Sequence, residues 1–301
     1  MRFTEYDLTD SYICPLSFRI FSRNGLSPVY EDQLTAEHAP PKALGGRKVA
    51  LTTQLLNNTS GHTHDIRLLN YINHLEFRKG KSAIKTKFKI DNQISLSGRI
   101  YKKGYLEFDL SSEKVHLGIQ KAMDLMRTQS SVNFRFSLPN LKSIELAFLR
   151  TAYLIAFSEL GYSFIFGGTN YINQNCEVIR KQLLEPRSSV ISDIIVLRDL
   201  FSDEFLGVNI IHEPEPLRSV LVVFDLKTDN EVHRFGVILP GPDEYGFHAN
   251  KYFKENIGTK HTINFKAYTF PNGIDLTEPS DSMLFLKVWK ELNGFTKQTP
   301  P

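Results

Sequence analysis

The chain has 301 residues, of which 41% are apolar and 23% charged, a make-up that suits a globular protein with a real core and one to two domains. Its two cysteines, Cys14 and Cys176, exclude a disulfide framework and point to free thiols in a reducing, cytoplasmic setting. The net charge of +3 is unevenly spread: residues 47–103 carry twelve Lys or Arg against three Asp or Glu, a local +9 that suits a polyanion, since neutralised phosphates release counterions.

Residues 1–11 are rich in charge and lack an apolar run, so no secretory signal is expected there. Up to residue 34 the pattern is irregular, with short apolar runs at Tyr12-Ile13 and residues 16–21 and turn signals at Asn24-Gly25 and Ser27-Pro28. Residues 33–39 then read as a short extended piece stopped by Pro40-Pro41. Gly45-Gly46 marks a tight turn and residues 49–53 a second strand. Asn57-Asn58-Thr59-Ser60 starts or caps a helix, in which Ile66, Leu69, Ile72 and Leu75 recur at helical spacing.

From residue 83 to 110 the pattern alternates through Phe88, Ile90, Ile94, Leu96 and Ile100, predicting a hairpin or meander with its turn at Lys102-Lys103-Gly104. A helix follows from Ser112 to about Arg127, then a brief strand at 133–137. Residues 141–160 form the strongest predicted helix, ended by Gly161, and 171–184 another, closed by Pro186. The apolar stretch 144–166 is interrupted by Glu145, Arg150, Ser158 and Glu159, too polar for a membrane span. Beyond residue 190 strands dominate: an apolar run at 220–224, a turn at 228–230, then 232–239, a Pro240-Gly241-Pro242 corner and 263–270. The expected class is α+β, with a small module at 1–82, a mixed α+β region at 83–188 and a mainly β region at 189–301.

Hydrolysis of a phosphodiester with one divalent metal needs a base to activate water and oxygen-rich ligands for the ion. An imidazole suits the base near neutral pH, and amide or carboxylate oxygens suit Mg²⁺. Residues 34–65 offer such groups close together: Glu37 and His38 end one strand, and Asn57, Asn58, His62 and Asp65 follow the second. Neighbouring strand side chains point to opposite faces, so Glu37 and His38 can share a site only where the strand twists or is irregular.

The string Glu37-His38-Ala39-Pro40-Pro41-Lys42-Ala43-Leu44-Gly45-Gly46, followed by Asn57-Asn58 and Gly61-His62-Thr63-His64-Asp65, resembles a subgroup of the HNH, or ββα-metal, endonucleases. The resemblance covers residues 14–65 and implies a metal-dependent endonuclease acting on DNA, or on RNA, with Mg²⁺ or Mn²⁺ as cofactor. It implies His38 as general base, Asn57 as the helix-side metal ligand and Glu37 as a second ligand or orienting group, with His62 beside them. Two Cys-x-x-Cys pairs hold a structural zinc in that family. Here they are reduced to Cys14 with Ser17 and to Thr53 with Leu56, so no structural zinc is expected and the hairpin should be braced by packing of Leu51, Leu55 and Leu56. The central asparagine of the motif is also missing, with Arg47 and Lys48 in its neighbourhood. Arg47, Lys48, Arg67, Arg78, Lys79 and Lys81 are the expected phosphate contacts, with Lys85, Lys87 and Lys89 continuing the basic band.

Two other functions compete with this one: a nucleic-acid-binding relative that does not cut, and an interaction or scaffold protein whose C-terminal β region binds a partner or a second copy. Elsewhere the chemistry is thinner. The Gly167-Gly168-Thr169-Asn170 stretch lacks the lysine of a phosphate loop, and the prolines after His212 exclude a zinc helix. Neither cysteine has a histidine companion that would make it a nucleophile.

Overall fold

A computed structural model describes residues 11–90, 94–108, 113–128, 134–136, 140–166, 172–185, 194–241, 247–257 and 263–270. In chain order the elements are β1 (Tyr12–Ile13), β2 (Ile20–Phe21), β3 (Leu34–Ala39), β4 (Arg47–Thr53), α1 (Gln54–Ser60), α2 (Ile66–Lys79), β5 (Ala83–Ile90), β6 (Ile94–Tyr101), β7 (Leu106–Phe108) and α3 (Glu113–Thr128). They continue as β8 (Phe134–Phe136), α4 (Leu141–Phe166), α5 (Gln174–Leu184), β9 (Val196–Arg198), β10 (Gly207–Glu213), β11 (Ser219–Lys227), β12 (Val232–Pro240), α6 (His248–Asn256) and β13 (Lys266–Phe270). The fold is α+β, with antiparallel sheets throughout. The phosphate-loop lookalike at 167–170 and the boundary near 186–189 lie outside the described residues.

Contacts divide the chain into two units, one of Met1–Asp65 with Glu145–Pro301 and one of Ile66–Ile144. The first unit is therefore assembled from both ends of the sequence, whereas the sequence pattern suggests three contiguous segments. Its main sheet runs β13-β10-β11-β12-β9, every neighbour antiparallel. β11 sits at the centre, and its residues Ser219 to Phe224 are all buried, which explains why that strand reads as a continuous apolar run rather than an alternation. One face packs on α4, where the Phe148 ring lies 4.6 Å from Phe235 and 6.3 Å from Phe224. The other face, through Ile211, Leu221, Val223 and Ile238, packs with Ala249 and Phe253 of α6.

α4 is apolar all round because both of its sides are covered; Ala152, Tyr153, Leu154 and Ala156 are wholly buried. Its break falls at Gly161 (φ 58°, ψ −145°), where the sequence ends the helix, although a further helical stretch continues to Phe166. No helix among the described residues is long and apolar enough to cross a membrane. α6 was not anticipated. It has few apolar residues, and only Ala249, Asn250 and Phe253 turn inward.

In the second unit the sheet order is β7-β6-β5-β8, again antiparallel. The turn falls at Lys102-Lys103-Gly104 as the sequence predicts, with Gly104 at φ 87°, and Tyr101 N–H donates to Tyr105 C=O at 3.1 Å. Ile84 and Leu96 are buried on one side of this sheet, while Lys85, Lys87, Lys89 and Arg99 stand exposed on the other.

Candidate functional site

The sequence between Leu34 and Asp65 folds as strand, tight turn, strand and helix. β3 and β4 pair from Leu34↔Thr53 to Glu37↔Ala50, then from His38↔Lys48 to Ala39↔Arg47. Val49 is thus an extra residue, and the bulge it makes falls between Glu37 and His38.

The Gly-Gly turn has a steric cause. Gly45 adopts the left-handed conformation (φ 82°) after a 3₁₀ turn at Lys42–Leu44, and a Cβ on Gly46 would sit 1.5 Å from the Pro40 carbonyl oxygen. Chain reversal this close requires glycine.

The helix begins earlier than the sequence suggests. Thr53 accepts the Leu56 N–H at 3.4 Å and caps it, so Asn57 lies within α1 rather than at its start. The Asn57 amide nitrogen instead reaches back to β3, donating to Thr35 Oγ1 at 2.9 Å and to Ala36 C=O at 3.1 Å. Both bonds use Nδ2, so the side chain is held in place by its donor end and neither bond engages its acceptor end, Oδ1.

Glu37 lies on the same strand face as Thr35 and is 2% exposed. Its Oε2 accepts from Thr52 Oγ1 at 3.1 Å, and Arg150 Nη2 of α4 approaches the same oxygen at 2.7 Å. The arginine also lies 3.8 Å from Asp65 Oδ1 and is itself buried. It holds Glu37 by charge more than by direction: Nη2 is off the hydrogen-bond line, and Nε has no hydrogen-bond partner among the described residues. Two carboxylates therefore flank one buried guanidinium beneath the hairpin.

Burial raises the Asp65 carboxyl from 3.8 to about 6, against the pull of Arg150 and with a smaller push from Glu37. The folded state thus holds the Asp65 proton more tightly than the unfolded chain does. Its contribution to stability is present below pH 4 and is lost as pH rises to about 6. Asp65→Asn should therefore raise the urea midpoint at pH 7 and flatten its change between pH 4 and 6; an unchanged pH profile would contradict this assignment.

The remaining expected residues are placed as follows. His38 is half-buried opposite exposed Lys48, and Arg47 is exposed and paired with Glu159 at 2.9 Å. The backbone of His62 lies in a π-helical turn at Gly61–Asp65, while its side chain falls outside the described residues. In the second unit, Arg78 and Lys79 are exposed at the end of α2, Arg67 is half-buried, and Lys81 bonds Asn73 Oδ1 at 3.1 Å and Glu76 Oε2 at 2.8 Å.

Of the three leucines expected to brace the hairpin, Leu55 is 71% exposed, whereas Leu51 and Leu56 are half-buried. Tyr12 holds β4, its hydroxyl donating to Leu51 C=O at 2.8 Å and accepting from Leu51 N–H at 2.9 Å. The segment carrying Tyr12 is fixed in turn to α4, where Tyr162 Oη accepts from Ile13 N–H at 2.9 Å and Tyr153 Oη donates to Pro15 C=O at 2.8 Å. Cys14 is buried, with its sulfur accepting from Ser17 N–H at 3.5 Å. Burial pushes the Cys176 thiol far up, which suits an inert core residue.

Sequence reasoning missed Arg150, Thr52 and Tyr12. Only Arg150 left a trace, as a charge inside an otherwise apolar helix, where an unpaired cation would be too costly to bury.

Whether these groups fit a divalent metal turns on which oxygens remain. Among the described residues, no group of three or more His, Cys, Asp or Glu is arranged to hold one. Glu37 is engaged by Arg150, whereas neither Asn57 bond uses its Oδ1 and Asp65, 3.8 Å from the same guanidinium, is partly exposed. Such a sparse set fits Mg²⁺, which keeps much of its water and takes one or two protein oxygens plus a substrate phosphate. It does not suit zinc, which takes four close N or S ligands in a structural site.

No protein-family model, curated protein or solved structure matches the chain.

Proposed function

We propose that the protein is a metal-dependent nuclease of the HNH type, with the hairpin and helix at residues 34–65 as its centre. The observation that carries this reading is the tie from Asn57 to the Thr35 hydroxyl and the Ala36 carbonyl of β3, immediately before the Glu37-His38 pair that faces the β4 bulge at Val49. It supports a strand-borne base and a helix-borne amide serving one phosphate, with no thiolate brace.

His38, half-buried beside a solvent-exposed strand, takes a proton from water through its imidazole. Asn57 Oδ1 and the Asp65 carboxylate would hold Mg²⁺ or Mn²⁺, which would supply a Lewis acid for the charge that builds on the phosphate. Glu37 serves as an orienting group: fixed by Thr52 and Arg150, it sets the backbone from which His38 departs. Lys48, exposed opposite His38, would meet a phosphate oxygen, as would Arg47 once it leaves Glu159.

A specific observation favours a second reading, that the chain binds nucleic acid without cutting it. The guanidinium of Arg150 already meets the Glu37 charge that a metal would otherwise meet. One experiment separates the two. Incubated with supercoiled plasmid, the full chain should nick it in Mg²⁺ or Mn²⁺ and stop in chelator. Salt-sensitive binding with no nicking in either metal would leave the binding-only protein.

A further inference from the structure

The sheet of the second unit has two unlike faces. On β5, Ile84, Thr86, Phe88 and Ile90 alternate with Lys85, Lys87 and Lys89, and the three lysines are exposed. Register puts Arg99 opposite Lys85, Ser97 opposite Lys87 and Ser95 opposite Lys89. Directly opposed residues share a face, so the lysines and Arg99 form one basic surface, with small serines between them.

That surface is unusual as a merely soluble one. Solubility is met by charges of both signs interspersed. Of the strand residues in register on this face, Glu107 of β7 is a carboxylate, and it pairs with Arg99 at 3.2 Å. Three lysines recur along the central strand about 6.8 Å apart, with a like charge directly opposite the first. Each of these neighbours repels the next, a cost that a bound polyanion offsets.

An aromatic platform adjoins the lysines. Tyr101 lies two residues beyond Arg99 on the same strand face and hydrogen-bonds Glu107 through its hydroxyl. Tyr105 stacks on it, with ring centroids 4.1 Å apart and planes 15° from parallel, and is 52% exposed. A positive track beside an open ring face matches the needs of an unpaired strand, whose phosphates meet cations while its bases stack on aromatics. A duplex hides its base faces and would leave Tyr105 unused.

We propose that this sheet face binds single-stranded nucleic acid. The proposal deepens the nuclease reading by naming the form of polyanion the protein holds, and it rests on that reading for the substrate class. Its test is kept apart from catalysis by working in chelator, with the full chain and fluorescence anisotropy of a labelled dT20 or a labelled 20-base-pair duplex.

The wild type should prefer dT20 to the duplex. The triple variant Lys85→Gln, Lys87→Gln, Lys89→Gln should bind dT20 at least tenfold more weakly and lower the salt slope by about 2, roughly 0.7 per lost phosphate contact. Tyr105→Ala should weaken dT20 binding about tenfold and leave the salt slope alone, since stacking releases no counterions. A triple variant with wild-type affinity and slope overturns the proposal, as does wild-type protein that ignores dT20. Equal binding of duplex and dT20, with Tyr105→Ala silent, also overturns it and assigns the face to duplex backbone. Failure to nick plasmid, with these binding results intact, would sink the enzyme and leave this surface standing.

Discussion

His38→Ala should reduce the rate of plasmid nicking by 10²- to 10⁴-fold, the range that a positioned general base contributes. The fold should survive the change. His38 is half-buried at the bulge end of β3, and the hydrogen bonds that hold the hairpin run through Tyr12, Thr52 and Asn57 rather than through the imidazole. The unfolding free energy of the variant in urea should stay within about 0.5 kcal/mol of wild type, as for other substitutions away from the core and its hydrogen-bond networks. Added imidazole offers a further check, because a missing base can be replaced from solution whereas a collapsed site cannot. A variant that cuts at the wild-type rate would remove the imidazole from the chemistry.

The second large effect is on stability. Arg150→Met should destabilise the first unit by about 3–5 kcal/mol, because it leaves Glu37 buried and without its cation. The pair as a whole is worth far less than that figure. Its desolvation is large, and among the described residues Arg150 Nε has no hydrogen-bond partner. The double variant Glu37→Gln with Arg150→Met should therefore recover most of the loss, since a neutral amide can keep the Thr52 contact without a buried charge. Equilibrium unfolding in urea of the two single variants and the double supplies the cycle that isolates the coupling. If the single change costs under 1 kcal/mol, the guanidinium is not what holds Glu37.

Much of the hairpin and helix was legible because its signals are local. Pro40-Pro41 stops a strand, Gly45-Gly46 turns it, and apolar residues on the period of a helix follow at Ile66 to Leu75. The start of α1 was displaced because Asn57 looks like a cap, whereas Thr53 three residues before Leu56 fills that role. The central strand β11 could be read from its apolar run, but its two-sided cover could not. That cover comes from α4 and α6, which are distant in sequence, and α6 carries too few apolar residues to announce itself.

The centre was legible only in part for the same reason. Glu37, His38 and Asn57 stand in one short motif. The arginine that meets Glu37 sits in a helix far along the chain, and nothing in local spacing links the two. The division into two units is equally long-range, since the hairpin belongs with the C-terminal sheet rather than with the residues that follow it. The lack of paired cysteines was visible in the sequence, but the tie that holds β4 was not. A single tyrosine hydroxyl, bonded to both backbone groups of Leu51, leaves no pattern in sequence.

Whether the position-38 imidazole and the position-57 amide converge on one cation, as proposed, can be read from ¹³C-labelled histidine spectra of the full chain, with the His38 signals identified by their loss in His38→Ala. Substoichiometric Mn²⁺ should broaden those ring signals selectively, and Asn57→Ala should abolish the effect. His38 signals that stay sharp while Mn²⁺ broadens other histidines would contradict the account.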